Sequence, residues 1–576
     1  MLETTLATSF VPGTNLKGNV AGANWSFLLP SLELEQIVCL GVPPVSTLKT
    51  LSRLSHEVRV VDYRSRQLWA ISEISQRRGL SNVYPVAANH QAISRLPSRK
   101  ADLVLIPSRS WMLKLKRDLA LLVELQRLLK PTGWIYLEFN GATEWSPGRE
   151  VMKVLGEGQG VTQVFWTTPL HGEVQTAVPL FDSETIRYFL RKKLYAPTTR
   201  LRVLDRAERF FYRHRLFSRF TRRYSALVGP LANELAVSPP EYLRTIAKRS
   251  GVDIDNHRWG LSARGKYNAR KVVFFLLDRI SGMPEFIVKM TRDPGLNPRV
   301  ENEYRALTLL REKGIGDRET LPQVAFFGYH SKLAVLGQTA IDGVPFRQQA
   351  KTDPACAYVQ QAIDWLTDLA EATANFGAAT PVQAADELRK LFHQFAEIYR
   401  LEPAHYAFLD RQIATIEQCR EAFPLVFQHG DPGIWNMMAT SGGQVAFLDW
   451  EAAEPQGMPL WDLFYFLRSF CTWAAHDQGT RDSLTGFAQQ FLGESPLHSL
   501  VIESTRRYCK RINLPAHLVE PLFYTCWVHR ALKEVTRLTP ARMERGFYVS
   551  LLRLCINQRS APLFRQLFLE ERGGTL

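Results

Sequence analysis

The chain has 576 residues, 45% of them hydrophobic and 22% charged, which is enough for several domains of about 150 residues each. Lys and Arg total 71 against 56 Asp and Glu, a formal net charge of +15 that suits anionic partners without naming one. No apolar run reaches transmembrane length, Met1–Thr8 lack the basic and apolar stretches of a secretion signal, and the seven cysteines form no CxxC pair. A spanning helix, secretion and a cysteine metal cluster are therefore not expected. The cysteines read as reduced core thiols of a cytoplasmic protein.

From the amino terminus, strands alternate with helices. Gln36–Gly41 reads as a buried strand, followed by a helical segment and the strand Glu57–Asp62. A helix near 64–79 leads to Val83–Ala88. Then come the strand Ala101–Pro107, a helix at about 112–130 and the strand Gly133–Phe139. Apolar runs of strand length, buried on both faces and separated by helices, argue for a parallel doubly wound sheet.

The strand at 37–40, Asp62 at a strand end, Ala101-Asp-Leu-Val-Leu-Ile106 and Leu129-Lys-Pro-Thr-Gly-Trp134 carry a resemblance. Roughly residues 30–180 resemble the class I S-adenosylmethionine-dependent methyltransferases. The resemblance implies that Asp62 binds the cofactor ribose and that a glycine-rich turn follows the first strand. That turn departs from the family: Val42-Pro43-Pro44-Val45-Ser46 follows Gly41. Prolines fix φ and remove N–H donors. The domain is read as degenerate, with S-adenosylmethionine binding lost or altered. A working methyltransferase with an unusual cofactor loop is the alternative.

Arg187–Arg223 is strongly basic, with Asp205 and Glu208 the only acids between Arg187 and Arg223 and with Phe210, Phe211, Tyr212, Phe217 and Phe220 interleaved. Such a segment reads first as an interdomain helix with solvated arginines. It reads second as a helix on an anionic membrane surface at the inner face, and last as a nucleic-acid contact. Pro239-Pro240 marks a boundary.

Gly260-Leu-Ser262-Ala-Arg264-Gly265-Lys266 precedes the strand Lys271–Leu277. Two glycines, Ser262 and the basic residues fit a phosphate-covering loop and fit an ordinary hairpin about as well. Pro284–Met290 is strand-like and carries Lys289. The stretch Val300–Leu310 has helical periodicity with Ala306, Leu307 and Leu310 on one face. Glu303 lies one turn before that patch, and Glu301 is its competitor on another face. Leu333–Gly343 reads as a strand and connector. Helical stretches follow at roughly 354–377, 383–399 and 403–421.

The most specific pattern comes next. Pro424–Phe427 leads into His429-Gly-Asp431-Pro-Gly-Ile-Trp-Asn436, and Val445–Leu448 leads into Asp449-Trp450-Glu451. Two acids and an amide at strand ends suit phosphoryl transfer, which needs an oriented base and hard oxygen ligands for a hard cation. HGDxxxxN followed by an apolar run ending in DWE resembles the aminoglycoside phosphotransferase and choline kinase superfamily, small-molecule kinases of protein-kinase-like fold. The resemblance implies Asp431 as base, with Asn436 and Asp449 on magnesium. It implies Lys289 on the ATP phosphates, set by Glu303, and backbone contacts to adenine near Thr339 and Ile341. Ser262 and Gly265 are assigned to the phosphate loop. Asp462 in Trp461–Leu467 reads as a cap or hydrogen-bond acceptor, and Trp473, Trp527 and His529 read as core.

The expectation is thus α/β plus α+β. It places a Rossmann-like methyltransferase-like domain at 1–185, a basic helical linker at 186–250 and a bilobal kinase-like domain at 251–576, with an N-lobe at 251–340 and a helical C-lobe at 341–576. ATP and Mg2+ are the expected cofactors, with a small-molecule hydroxyl as acceptor. The sequence leaves the acceptor and the oligomeric state open. The rival readings are a bifunctional methyltransferase and kinase, and a non-catalytic nucleotide-binding scaffold.

Overall fold

The computed structural model describes residues 23–88, 93–106, 111, 119–140, 161–170, 173–180, 182–191, 223–229, 238–263, 271–536 and 538–568. The chain clusters into two compact units. One comprises Met1–Val300 and Val324–Ala340, the other Glu301–Gln323 and Ile341–Leu576.

The first unit is organised on a 13-stranded sheet. Its parallel part is built from β1 (Leu34–Leu40), α1 (Val45–Leu54), β2 (Ser55–Asp62), α2 (Ser65–Arg78), β3 (Val83–Ala87), β4 (Ala101–Ile106), α3 (Leu119–Leu128) and β5 (Leu129–Asn140). The strand order is β3-β2-β1-β4-β5, so the winding reverses between β1 and β4. The apolar runs foretold this: Ile37–Leu40 and Leu103–Ile106 are buried on both faces.

Beyond β5 the sheet becomes antiparallel. β6 (Val161–Leu170) and β7 (Glu173–Pro179) form a hairpin, followed by α4 (Ser183–Arg191). β8 (Arg223–Gly229) inserts between β5 and β6, antiparallel to both. Within the range 186–250, expected as a helical linker, residues 223–229 are therefore a strand. The arginine run ends at Arg223, and the apolar stretch Ala226–Val228 fills the sheet interior. Residues 192–222, the bulk of the basic segment, lie outside the described residues.

The sheet does not stop at the hairpin. After α5 (Glu241–Arg249), β9 (Arg258–Ser262) pairs antiparallel with β7 through Thr176↔Ser262 and Ala177↔Leu261. The order then runs β9-β10-β11-β13-β12, with β10 at Lys271–Leu277, β11 at Pro284–Thr291, β12 at Val324–His330 and β13 at Leu333–Thr339. One apolar cluster covers a face of the whole sheet, from Leu48 and Leu51 of α1 to Phe274, Val288 and Phe326. Trp259 sits at the join, edge-on to Phe165 at 5.7 Å and tilted against Phe274 at 6.1 Å.

The segment 23–32 reinforces the join. Asn24 Nδ2 donates to Val174 O (2.7 Å), and Trp25 stacks on Tyr136 at 4.3 Å. Phe27 O accepts from Tyr242 Oη (2.9 Å), and Leu32 N donates to His330 Nε2 (3.1 Å). It therefore touches strands of both the parallel and the antiparallel halves.

The second unit is largely helical. It begins within α6 (Asn297–Glu312) and continues through β14 (Gly343–Pro345), α7 (Ala357–Thr373), α8 (Pro381–Ile398) and α9 (Pro403–Glu417). Thr380 and Gln383 form a capping box at α8, with Pro381 in its first turn. Then come β15 (Val426–Gln428), β16 (Met437–Thr440), β17 (Val445–Phe447) and β18 (Glu454–Gly457). They make two small sheets, β14-β16-β17 and β15-β18. α10 (Trp461–Asp477) is apolar almost all round and runs through the core, packed by α11 (Pro496–Arg511) and α12 (Val519–Val535); α12 in turn packs against α13 (Phe547–Asn557).

No described helix is long and apolar enough to cross a membrane. All seven cysteines are free thiols, and six are buried. Trp259→Ala should destabilise the first unit by about 3–5 kcal/mol, the usual cost of deleting a buried indole. Urea unfolding of the whole chain measures this, and a loss under about 1 kcal/mol would show that the join does not depend on that ring.

Candidate active site

The loop after β15 is held by three anchors. His429 N and Gly430 N donate to the two carboxylate oxygens of Asp462, at 2.5 and 3.1 Å. Gly430 adopts φ +77°, and a Cβ there would lie 2.0 Å from Ala452 O, so only glycine fits this turn. The His429 ring is fully buried with both nitrogens used. Nδ1 accepts from Asp431 N (3.2 Å), which leaves Nε2–H to donate to Leu448 O (2.9 Å). That ring therefore ties the loop bearing Asp431 to the residue before Asp449. Burial holds its pKa down, to about 4. Desolvation of Asp462 has the opposite effect, pushing its carboxyl up to about 7 against the pull of the two backbone N–H groups.

Asp431 and Asn436 are brought together. Asn436 Nδ2 donates to Asp431 O (2.9 Å) and to Asp431 Oδ2 (3.2 Å). Turning the amide nitrogen inward leaves its carbonyl oxygen directed away, available as a hard ligand. Leu448 N donates to Asn436 O (2.8 Å), so the amide and the Asp449 strand are one hydrogen bond apart. Asp449 has left-handed backbone, φ 68° and ψ 62°, at the start of a short 3-10 turn, and its carboxylate makes no cap bond to that turn. Strained aspartates of this kind gather where a side chain must be aimed. The next residue, Trp450, is buried, lies tilted against the His429 ring (4.3 Å), and donates its backbone N–H to Glu303 Oε1 (3.3 Å). Glu303 is thus buried against the loop that follows Asp449, whereas Glu301 is half-buried.

The side chain that most shapes Asp431 comes from far along the chain. Arg530 on α12 donates through Nη1 to Gly430 O (2.6 Å) and through Nη2 to Asp431 Oδ1 (3.1 Å). Its guanidinium lies 3.6 Å over the Tyr465 ring. Asp431 keeps 20% side-chain exposure, with one oxygen on Arg530 and the other on Asn436. Sequence reading treated Trp527 and His529 of the same helix as core. Trp527 is buried, His529 stacks on Trp461 at 4.4 Å, and Trp473 is partly exposed. The overlooked signal was a cation inside the apolar run Leu522–Leu532.

The remaining expected positions lie mostly in the first unit. Lys289 is buried in the middle of β11, opposite Val273 of β10 and Leu336 of β13. Ser262 ends β9, buried and paired with Val273 and Thr176. Gly265, Arg264 and Lys266 lie outside the described residues. Thr339 ends β13 opposite Phe286. Ile341 is the first residue of the second unit's main segment and is half-buried.

Asp62 has a partner of its own. Its fully buried carboxylate accepts from Arg64 N (2.8 Å), Nε (3.1 Å) and Nη2 (3.0 Å). Burial alone would raise this carboxyl, but the Arg64 bonds and charge outweigh it and the pKa is lowered. The acid that the methyltransferase resemblance assigns to a ribose is spent inside its own turn. After β1, Pro43 and Pro44 lead into α1 with no side-chain cap. The residues at this end of the parallel sheet do not fit S-adenosylmethionine.

Two carboxylates and an amide thus stand on two tied loops, and the comparisons support a phosphotransferase. The model of the phosphotransferase enzyme family, APH, matches residues 263–486, which hold Lys289, Glu303, Asp431, Asn436 and Asp449. No curated protein matches the chain. Among solved structures, the bifunctional kinase-methyltransferase WbdD is 11% identical over 84% of this chain and 84% of its own, with a TM-score of 0.24. A protein described as a fructosamine-3-kinase, from Haemophilus somnus 129PT, is 12% identical over 55% of this chain and 96% of its own, TM-score 0.34. The N-methyltransferase NodS from Bradyrhizobium japonicum WM9 is 17% identical over 26% of this chain and 88% of its own, TM-score 0.21.

The buried imidazole makes stability depend on pH. Unfolded, His429 takes a proton near 6.5; folded, it resists until about 4. Between those values the unfolded chain binds more protons, so stability falls as pH drops from about 6.5 toward about 4. The slope of unfolding free energy against pH in that window should be shallower in His429→Gln. Equal slopes would show that the ring is not held neutral.

Proposed function

We propose that this chain transfers the γ-phosphoryl group of ATP to a hydroxyl of a small molecule. The observation that carries the reading is Asp431: a carboxylate partly open to solvent, aimed by Arg530 and Asn436, one loop away from Asp449. An acceptor hydroxyl reaching Asp431 gives up its proton to a carboxylate oxygen as its own oxygen attacks the γ-phosphorus, and ADP leaves with the bridging electron pair. Arg530 holds the carboxylate in place for that attack, so the loop needs no rearrangement when charge moves. Magnesium, held by Asn436 and Asp449, would supply charge neutralisation on the transferring phosphates. Lys289, Glu303, Thr339, Ile341, Ser262 and Gly265 are assigned to the nucleotide within the same proposal. So are the cytoplasmic setting and the contact of residues 187–223 with an anionic membrane surface.

Methyl transfer is not part of this proposal. Arg64 on Asp62 supports a degenerate first domain whose role is structural. Calorimetry with S-adenosylmethionine should give no heat for the wild-type chain, and a saturable signal would reinstate a working methyltransferase.

An ATP-consumption screen over hydroxyl metabolites tests the kinase reading. Asp431→Asn should lower turnover about 10²–10⁴-fold while keeping the melting shift given by magnesium and ATP. Asp449→Ala should weaken that shift and raise the magnesium requirement about tenfold or more. Wild-type turnover in both variants would remove the assignment.

A further inference from the structure

The Tyr465 ring that Arg530 covers is shared by a second buried guanidinium, which the transfer reaction leaves unused. Arg468 on α10 is 6% exposed. It is walled by aromatic rings: Tyr465 at 4.9 Å, Tyr548 at 5.2 Å, Phe547 at 5.3 Å and Trp435 at 6.0 Å. Its Nη2 donates to Tyr548 Oη (2.7 Å), and its Nε has no hydrogen-bond partner. Among the described residues no carboxylate pairs with it. The nearby acid Glu534 is occupied in accepting from Phe547 N and Tyr548 N at the start of α13.

The charge count is uneven. Arg468 and Arg530 share the Tyr465 ring, at 4.9 and 3.6 Å, and among the described residues Asp431 is the one carboxylate paired with either. A buried cation without an anion is unfavourable, and facing rings offset only part of the desolvation. A fold that keeps such a surplus charge next to a reactive carboxylate is prepared for an anion from outside. The way in is marked by Trp435. It lies between Asp431 and Asn436 in the loop, meets Tyr465 edge-on at 6.1 Å, and yet is 48% exposed. Its indole packs over Gly433, where a Cβ would come within 2.4 Å of the ring, so the ring is held rather than loose. A flat, fixed, exposed indole is a surface on which the carbon skeleton of a polyol or sugar can lie.

Resting on the kinase reading, we propose that the acceptor is an acidic hydroxy compound. Its carboxylate or phosphate group is taken by Arg468, its skeleton lies against Trp435, and a hydroxyl is thereby presented to Asp431. Guanidinium suits this task because its planar fork matches an oxyacid group and it stays charged when desolvated. Arg468 selects the acceptor; it takes no part in the proton transfer.

The test uses the full chain and matched pairs that differ in one anionic group: glycerate against glycerol, gluconate against sorbitol, glucuronate against glucose, with glycerol 3-phosphate as the phosphate arm. Binding is followed without nucleotide by tryptophan fluorescence, with Trp435→Phe to identify the responding ring. At least one anionic member should bind about tenfold or more tighter than its neutral partner. Arg468→Met should bring that ratio near one. Arg468→Lys, which keeps the charge and loses the fork, should keep part of it, and it decides the matter if the methionine variant does not fold. Whether glycerate or glycerol 3-phosphate binds tighter tells which oxyacid the site prefers.

Equal binding within every pair, no binding by any member, or a ratio unchanged in both Arg468 variants overturns the proposal. ADP formation is then measured on the same compounds. Turnover of neutral members as fast as anionic ones overturns the acidic acceptor and leaves the kinase standing. Anion-selective binding without phosphoryl transfer anywhere in the panel and the hydroxyl screen retracts the kinase and leaves the anion seat.

Discussion

Two backbone N–H groups on one carboxylate set the geometry of the second unit. Asp462, at the start of α10, takes the amides of His429 and Gly430 and so joins the loop to a helix buried along most of its length. The left-handed turn at Gly430 then aims Asp431 outward, and the buried His429 ring carries the constraint across to Leu448. Loops usually carry chemistry at the cost of mobility. Here the backbone on either side of Asp431 is pinned by hydrogen bonds within the chain.

The same region shows how charge is distributed for the work. Arg530 and Asn436 each take one oxygen of Asp431, so neither oxygen wanders. Aromatic rings around Arg530 and Arg468 exclude water while tolerating cations, which strengthens every electrostatic contact inside.

What could be read from the chain depended on distance along it. Ile37–Leu40 and Leu103–Ile106 were legible as central strands because burial on both faces leaves an unbroken apolar run. Asp431 and Asn436 were legible as a pair because five residues of loop can close an amide onto a carboxylate. Arg530 was not, since its partners stand about a hundred residues upstream and no local period marks a lone arginine in an apolar helix. The strand at 223–229 was masked by the arginines before it, whose charge suggested a solvated helix. The pairing of β7 with β9 rests on residues more than eighty positions apart, and each strand alone reads as the border of its own sheet.

That shared border has a practical meaning. Strands at the rim of a sheet expose open rows of N–H and C=O groups that recruit foreign strands. In this chain β7 and β9, each the rim of one part of the 13-stranded sheet, are closed against each other, and an amino-terminal strap from Asn24 to Leu32 is fastened over the seam. A fragment cut between β8 and β9 would uncover both rims at once and strip the strap from half its anchorage. The methyltransferase-like part is in this sense splinted to the strands that follow it, and neither piece can be lifted out as an independent module.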